Sequence, residues 1–287
     1  MKKFIQKALL KHGYEINKIH CLDDSDLYYK FFDNESIQKR KFYNISAGGH
    51  FEFGGKFFHP LWTNVDVDKK WVNGKNFNSN RDLKFDPMSL QKLPIETNSA
   101  ELIYSRLTVE HITDEAAQNL FCEVYRILKP GGIARFLCPH SDLYYRAYKR
   151  NDRDFYYWAK DHSFMVNASI EQLFLDHFAA SCTTLRTEGS PKRFTDEEFR
   201  EIINKYTYEE ALDYIKSHCS IDFHYSNRRN HINWWNFNKF NRMFTIAGFK
   251  ETFLSNPWQS HSPVMRNEYY FDNLYNKIVI YVEVIKT

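Results

Sequence analysis

The sequence is poor in glycine and proline, the residues that most often mark turns and the ends of helices and strands. It has 10 glycines and 8 prolines among 287 residues. It has no apolar run near the roughly 18 residues that a membrane-spanning helix needs, so no span is predicted. The net charge of +3 is too small to favour a nucleic acid or an anionic membrane as partner. The opening segment is basic, but Gln6, Lys7 and Lys11 interrupt its apolar part, which indicates an amphipathic helix rather than a signal peptide.

The cysteines are too scattered to form a redox or zinc motif. No C-x-x-C pair and no zinc-site spacing occur among the five, which are Cys21, Cys122, Cys138, Cys182 and Cys219. This pattern favours a reducing, cytoplasmic compartment. The histidines and acidic residues show no i, i+4 ligand pattern on a helix, so no metal site is predicted.

What the sequence does contain is an alternation of short strands and helices. Its 43% of hydrophobic residues is an ordinary globular composition. Strand patterns occur at residues 42–45, 62–65, 83–85, 100–104, 133–138, 249–254 and 277–285. Strands that alternate with helices predict an α/β fold, with a mostly parallel, seven-stranded sheet covered by helices on both faces.

The clearest helix follows Thr113, which can cap its N-terminus. Its apolar residues recur at helical spacing, and the segment 129–132 (KPGG) is expected to stop it. Residues rich in tyrosine, histidine and charge then interrupt the alternation and predict a helical insert. The expected organisation is a helical lead-in at 1–41, a cofactor-binding part at 42–140, a substrate-side insert at 141–230 and a C-terminal part at 231–287.

Ligands of parallel α/β sheets bind beyond the carboxyl ends of the strands, so the residues there are site candidates. The loop 46–49 (SAGG) follows the first strand, and its small residues let a cofactor approach the backbone. Asp66 ends the second strand, where a carboxylate can accept from both hydroxyls of a ribose. Asp86 follows the third strand and can contact an adenine together with Met88. These residues predict an adenosine-containing cofactor, either a dinucleotide or S-adenosylmethionine.

Two features favour S-adenosylmethionine. The G-x-G-x-x-G fingerprint of dinucleotide enzymes is absent. In addition, the segments 86–94 (DPMSLQKLP), 109–111 (VEH) and 123–132 (EVYRILKPGG) resemble motifs of the class I S-adenosylmethionine-dependent methyltransferases. The segments 64–68 (NVDVD) and 281–286 (YVEVIK) resemble those of a small group associated with surface-polysaccharide biosynthesis. The resemblance covers about residues 42–140 and 231–286, and it implies a Rossmann-like fold.

The resemblance implies a cofactor site along the strand ends. It also places the amino-acid end of the cofactor near Tyr104, Ser105 and Arg106. The full predicted set is Ser46, Ala47, Gly48, Gly49, Asp66, Asp86, Met88, Tyr104, Ser105 and Arg106. The chain departs from the family at its first loop, because serine stands at position 46, where the family has the first glycine of G-x-G.

The expected activity is methyl transfer to an oxygen or nitrogen of a small molecule. By family association, the acceptor is a sugar, a sugar-phosphate or a phosphorylated precursor of a surface polysaccharide. His140 and His111 are the first candidates for a catalytic base, because histidine titrates near neutral pH. Tyr145, Arg146 and His231 are candidates for substrate binding. Two alternatives stay open, a methyltransferase-fold binding protein without activity and a dinucleotide-dependent oxidoreductase.

Overall fold

A seven-stranded sheet organises the part of the chain that the structure describes, residues 2–12, 14, 23–47, 59–67 and 82–287 of a computed structural model. Its strands are β1 (Phe42–Ile45), β2 (Thr63–Asp66), β3 (Leu83–Lys84), β4 (Ala100–Arg106), β5 (Leu128–Pro139), β6 (Thr252–Ser255) and β7 (Val279–Ile285). They lie in the order β3-β2-β1-β4-β5-β7-β6. Neighbouring strands are parallel from β3 to β5, whereas β7 is antiparallel to both β5 and β6. The predicted Rossmann-like, mostly parallel sheet is confirmed.

The strand order reverses between β1 and β4, and this reversal positions the site. β1 pairs with β2 on one side and with β4 on the other. The chain therefore leaves the two central strands in opposite directions, which opens a crevice beyond their carboxyl ends.

Helices cover both faces of the sheet. In chain order they are α1 (Lys2–Leu10), α2 (Ser25–Phe31), α3 (Asn34–Gln38), α4 (Asp114–Ile127), α5 (Ser141–Lys149), α6 (Ile170–Phe178), α7 (Asp196–Lys205), α8 (Tyr208–Lys216), α9 (Ile221–Ser226) and α10 (Phe237–Ala247). Thr113 caps α4 as predicted, since its side chain accepts from the backbone N–H of Ala116. Gly248, with φ +110°, ends α10.

Two apolar layers form the core, one on each face of the sheet. Alternate residues of β4 point to opposite faces, so Leu102 joins one layer and Ile103 the other. The layer around Ile103 contains the buried faces of α4 and α10, where the Phe121 and Phe244 ring centroids are 4.4 Å apart. The layer around Leu102 contains α5 to α8 and a 3-10 helix at Arg153–Asp161. Residues 141–230 are thus helical, as the sequence predicts, and contain no strand.

Several boundaries differ from the prediction. α4 ends at Ile127 and β5 begins at the next residue, so the segment 129–132 lies inside the strand and not in a loop. β4 continues two residues past its predicted end, to Arg106, because it pairs with β5 up to that position. None of the helices in the described ranges is both long enough and apolar enough to cross a membrane.

Candidate active site

A cavity of about 540 Å³ opens at the carboxyl edge of the sheet, between the strand ends and the helical insert. From the strand ends and the segments that follow them it is lined by Ser46, Asp66, Val67, Asp86, Pro87, Met88, Leu107, Thr108, Glu110, His111, Ile112 and Pro139. From the insert and the C-terminal part it is lined by Tyr144, Trp158, His162, Met165, Leu173, Asp176, His177, His224, Arg228, Arg229, His231, Tyr275, Ile278 and Val279. Apolar walls with a few convergent polar groups are typical of a small-molecule site.

The end of β1 reaches the cavity through Ser46. This residue has a φ of +55°, in the left-handed region that favours glycine, and its N–H donates to the carbonyl of Val65 at 2.7 Å. The serine therefore has a backbone conformation that glycine adopts more readily. Ala47 is buried next to it, outside the cavity lining. Gly48 and Gly49, also predicted to bind the cofactor, lie outside the described residues.

The two predicted adenosine acceptors both line the cavity. Asp66 is the last residue of β2 and is 8% exposed, and its Oδ1 accepts from the N–H of Val67 at 2.7 Å. Asp86 caps a short 3-10 helix by accepting from the N–H of Met88 at 2.9 Å. Its other oxygen accepts from Arg228 at 2.8 Å. Arg228 thereby links the insert to the predicted adenine side of the cavity.

The three residues predicted for the amino-acid end of the cofactor do not line the cavity. The Tyr104 hydroxyl is bonded to Asp272, Ser105 donates to the Thr108 hydroxyl at 3.1 Å, and Arg106 donates to Asn273 at 2.7 Å. These three residues lie within β4, which is two residues longer than predicted. The carboxyl end of the strand, and with it the cavity, therefore comes later in the sequence. The described residues of this segment that reach the cavity begin at Leu107. The role of Tyr104, Ser105 and Arg106 in cofactor binding stays a prediction.

The two predicted catalytic histidines differ in position. His111 lines the cavity, and its Nδ1 donates to the carbonyl of Asn230 at 3.2 Å. His140 lies outside the lining at the start of α5, with its Nε2 3.7 Å from Asp142. Of the two predicted bases, His111 is therefore the one that lines the cavity.

His231, predicted for substrate binding, lies beside His111, with ring centroids 4.8 Å apart. Its Nδ1 donates to the carbonyl of His177 at 2.7 Å. Burial lowers the pKa of the imidazoles of His177 and His231, that of His177 strongly. Both rings are therefore neutral near pH 7, the form in which an imidazole can accept a proton or bind a metal.

Glu110 is the functional candidate that the sequence reasoning missed. It is 1% exposed, and neither carboxylate oxygen has a hydrogen-bond partner among the described residues. The Nε2 of His111 is 4.0 Å from its Oε1. Burial raises the pKa of this carboxyl to about 8. The Val-Glu-His pattern drew attention to this segment, but nothing local in the sequence shows that the glutamate is buried.

Of the insert residues, Tyr144 lines the cavity, whereas Tyr145 and Arg146, the two predicted to bind the substrate, do not. Tyr145 packs its ring on Tyr208, with centroids 4.3 Å apart, and Arg146 is exposed, so neither lines the cavity. Tyr144, one position earlier on α5, does line it. Successive helical residues point about 100° apart, so a one-position difference decides which residue faces the cavity.

Residues 54–136 match the family model described as a methyltransferase domain. No curated protein matches the chain. Among solved structures, an S-adenosylmethionine-dependent methyltransferase from Mesorhizobium loti is similar at 13% identity, covering 85% of this chain and 89% of that one, with a TM-score of 0.39. A possible histamine N-methyltransferase from Thermotoga maritima is similar at 12% identity, with coverage of 91% and 99% and a TM-score of 0.40.

Proposed function

We propose that the chain is a class I S-adenosylmethionine-dependent methyltransferase, and that it methylates an oxygen or nitrogen of a small acceptor bound in the cavity between sheet and insert. One observation carries this proposal. A single cavity joins the predicted ribose and adenine contacts, Asp66 and Asp86, to aromatic and cationic residues of the insert, Trp158 and Arg228. Donor and acceptor can thus meet in one cavity, as direct transfer between them requires.

The cofactor side of the cavity fits S-adenosylmethionine. Asp66 presents a nearly buried carboxylate at the end of β2, suited to the two ribose hydroxyls. Met88 and Asp86 border the space beyond β3, where the adenine would lie. When bound, the cofactor supplies a methyl group on a positively charged sulfur. The protein's task is then to align the acceptor with that methyl and to take up a proton where the acceptor is a hydroxyl.

The acceptor side supports a sugar, a sugar-phosphate or a phosphorylated precursor in surface-polysaccharide biosynthesis. Trp158 offers an aromatic surface of the kind that packs against sugar rings, and Arg229 offers a cation for a phosphate. The segments 64–68 and 281–286, with their resemblance to methyltransferases of such pathways, are the second support.

Different parts of the chain are assigned to the two sides of the cavity. We assign the cofactor-binding part to residues 42–140 and the acceptor side to the insert at 141–230. The lead-in at 1–41 and the C-terminal part at 231–287 complete the fold around them. The scattered cysteines support a reducing, cytoplasmic compartment for this reaction.

Calorimetric titration with S-adenosylhomocysteine, with NAD(H) as the comparison ligand, tests the cofactor assignment. We expect one-to-one, micromolar binding of S-adenosylhomocysteine only. Asp66→Ala should weaken it by roughly 1.5–3 kcal/mol, since it removes a charged hydrogen-bond acceptor. The matched control is Asp82→Asn. Asp82 is buried, accepts from the backbone N–H of Asn64 and does not line the cavity. This variant should bind S-adenosylhomocysteine with the dissociation constant of the wild type.

The outcomes separate the rival functions. Binding of NAD(H) alone would favour the oxidoreductase, and binding of neither ligand would favour the inactive binding protein. An unchanged dissociation constant in Asp66→Ala would refute the ribose assignment. With cofactor binding established, transfer of a labelled methyl from S-adenosylmethionine to a panel of sugars, sugar-phosphates and small amines identifies the acceptor class.

A further inference from the structure

Three side chains with metal-binding donor atoms converge in the wall of the cavity. They are Glu110, His111 and His231, and one donor atom from each lies within 4.8 Å of the other two. The first two follow β4, whereas His231 follows the insert, about 120 positions later in the chain. The sequence predicts no metal site because the three residues have no ligand spacing. Only the fold brings them together.

The two histidines are held in the same way. The Nδ1 of His111 donates to the carbonyl of Asn230, and the Nδ1 of His231 donates to the carbonyl of His177. A bond from Nδ1–H to a carbonyl fixes the tautomer in which Nε2 carries the lone pair. Metal-binding histidines are oriented by hydrogen bonds of this kind from the ring nitrogen that is not a ligand.

A second observation that points to a bound ion comes from Glu110. Its carboxylate is almost entirely buried and lines the cavity, and its two oxygens have no hydrogen-bond partner in the described part of the chain. A buried carboxylate without a partner is costly and calls for an explanation, such as an ion that it binds. The imidazole of His111 lies against it at 4.0 Å.

We propose that Glu110, His111 and His231 bind a divalent transition-metal ion of the zinc, iron or manganese class. Two imidazoles and one carboxylate are a donor set for such ions, and three protein ligands leave coordination positions open. Metal–ligand bonds of about 2.1 Å hold ligand atoms roughly 3–3.5 Å apart, so donor atoms 4.8 Å apart need to approach each other by roughly 1.3–1.8 Å. Side-chain rotation is sufficient for a movement of this size.

The site also has a place in the reaction, and this part of the inference rests on the proposed function. Glu110, His111 and His231 line the same cavity as Tyr144 and Trp158. A hydroxyl of the acceptor bound there would lose its proton more readily, because a metal ion lowers the pKa of the oxygen it binds. The metal would then activate the acceptor and also hold it in place.

Cobalt titration of the full chain after chelator treatment tests the site directly. Co²⁺ bound to nitrogen and oxygen ligands gives visible absorption bands, and Zn²⁺ should abolish them by competition. We expect one Co²⁺ per chain, bound at micromolar concentration or tighter. Glu110→Gln and His231→Gln should each weaken binding by more than about tenfold. His162→Gln, which removes an exposed histidine of the same cavity outside the cluster, should bind Co²⁺ like the wild type.

A wild-type chain that gives no saturable cobalt spectrum overturns the proposal. Equal affinity in wild type, Glu110→Gln and His231→Gln does so as well. Circular dichroism verifies the fold of each variant, and either ligand variant that folds is sufficient for the comparison. S-adenosylhomocysteine binding is measured on the same preparations. A wild-type chain that binds S-adenosylhomocysteine but not cobalt refutes the metal site alone, whereas a wild-type chain that does not bind S-adenosylhomocysteine refutes the proposed function.

Discussion

Ser46 combines an ordinary side chain with a backbone conformation suited to glycine. Its φ of +55° places it in the left-handed region, where a Cβ atom costs about 1–2 kcal/mol. The residue ends β1 and lines the cavity, so the strain is stored at the edge where the cofactor is expected. The sequence alone identified the position as a departure from glycine. The structure adds that the backbone at this position lies in the left-handed region, which favours glycine.

Replacing this residue should therefore stabilise the protein. We expect Ser46→Gly to raise the free energy of unfolding by about 1 kcal/mol, since glycine adopts positive φ without a Cβ clash. Ala47 is the matched control, because its φ is not in the left-handed region. Ala47→Gly should lower the free energy of unfolding by about 0.5–1 kcal/mol. Urea denaturation of both variants checks the opposite signs, and a loss of stability in Ser46→Gly would contradict the argument.

At the scale of elements, the junction between α4 and β5 shows two glycines that are needed for different reasons. Gly131 has φ +81° and no heavy atom within 4 Å of an added Cβ, so only its backbone conformation requires glycine. Gly132 has no positive φ, but an added Cβ would lie 2.9 Å from the Lys129 carbonyl oxygen and 3.1 Å from that of Ala100. The second glycine lets the start of β5 approach β4 closely.

Alanine at these two positions should therefore have unequal effects. Gly131→Ala should cost about 1–2 kcal/mol, the price of a left-handed alanine. Gly132→Ala should cost more, because backbone atoms of β4 and β5 cannot move aside as a flexible side chain can. Parallel urea denaturation of the two variants measures the difference. Equal losses would indicate that the contact with Ala100 relaxes at little cost.

The elements predicted well are those whose signals are local. β1, the cap of α4 and the end of α10 follow from the residues within them. The boundaries of β4 and β5 were missed because each strand is extended by pairing with the other, which no local pattern reveals. The candidate site divides in the same way. Asp66 follows from its place at the end of a strand, whereas the burial of Glu110 depends on contacts with residues near 230, far away in the sequence.

At the scale of the whole molecule, one buried arginine ties the C-terminal part to the sheet. Arg135 of β5 is fully buried and pairs with Asp272 at 2.7 Å and with Glu283 of β7 at 2.9 Å. Asp272 also accepts from the hydroxyl of Tyr104 on β4. The network therefore links three strands and the segment before β7. It also explains why Tyr104, predicted to bind the cofactor, is bonded within the fold.

Removing the arginine should leave two buried carboxylates without their cation. We expect Arg135→Leu to lower the free energy of unfolding by about 3–5 kcal/mol at pH 7. The two carboxylates would keep hydrogen bonds from Tyr104, Trp258 and His261 but would lose the buried guanidinium between them. Arg242→Leu breaks a largely exposed pair with Glu209 and should cost at most about 1 kcal/mol. Urea denaturation of both variants at pH 7 measures the difference, and a loss of stability in Arg135→Leu no larger than that in Arg242→Leu would mean that the buried ion pairs add little to stability.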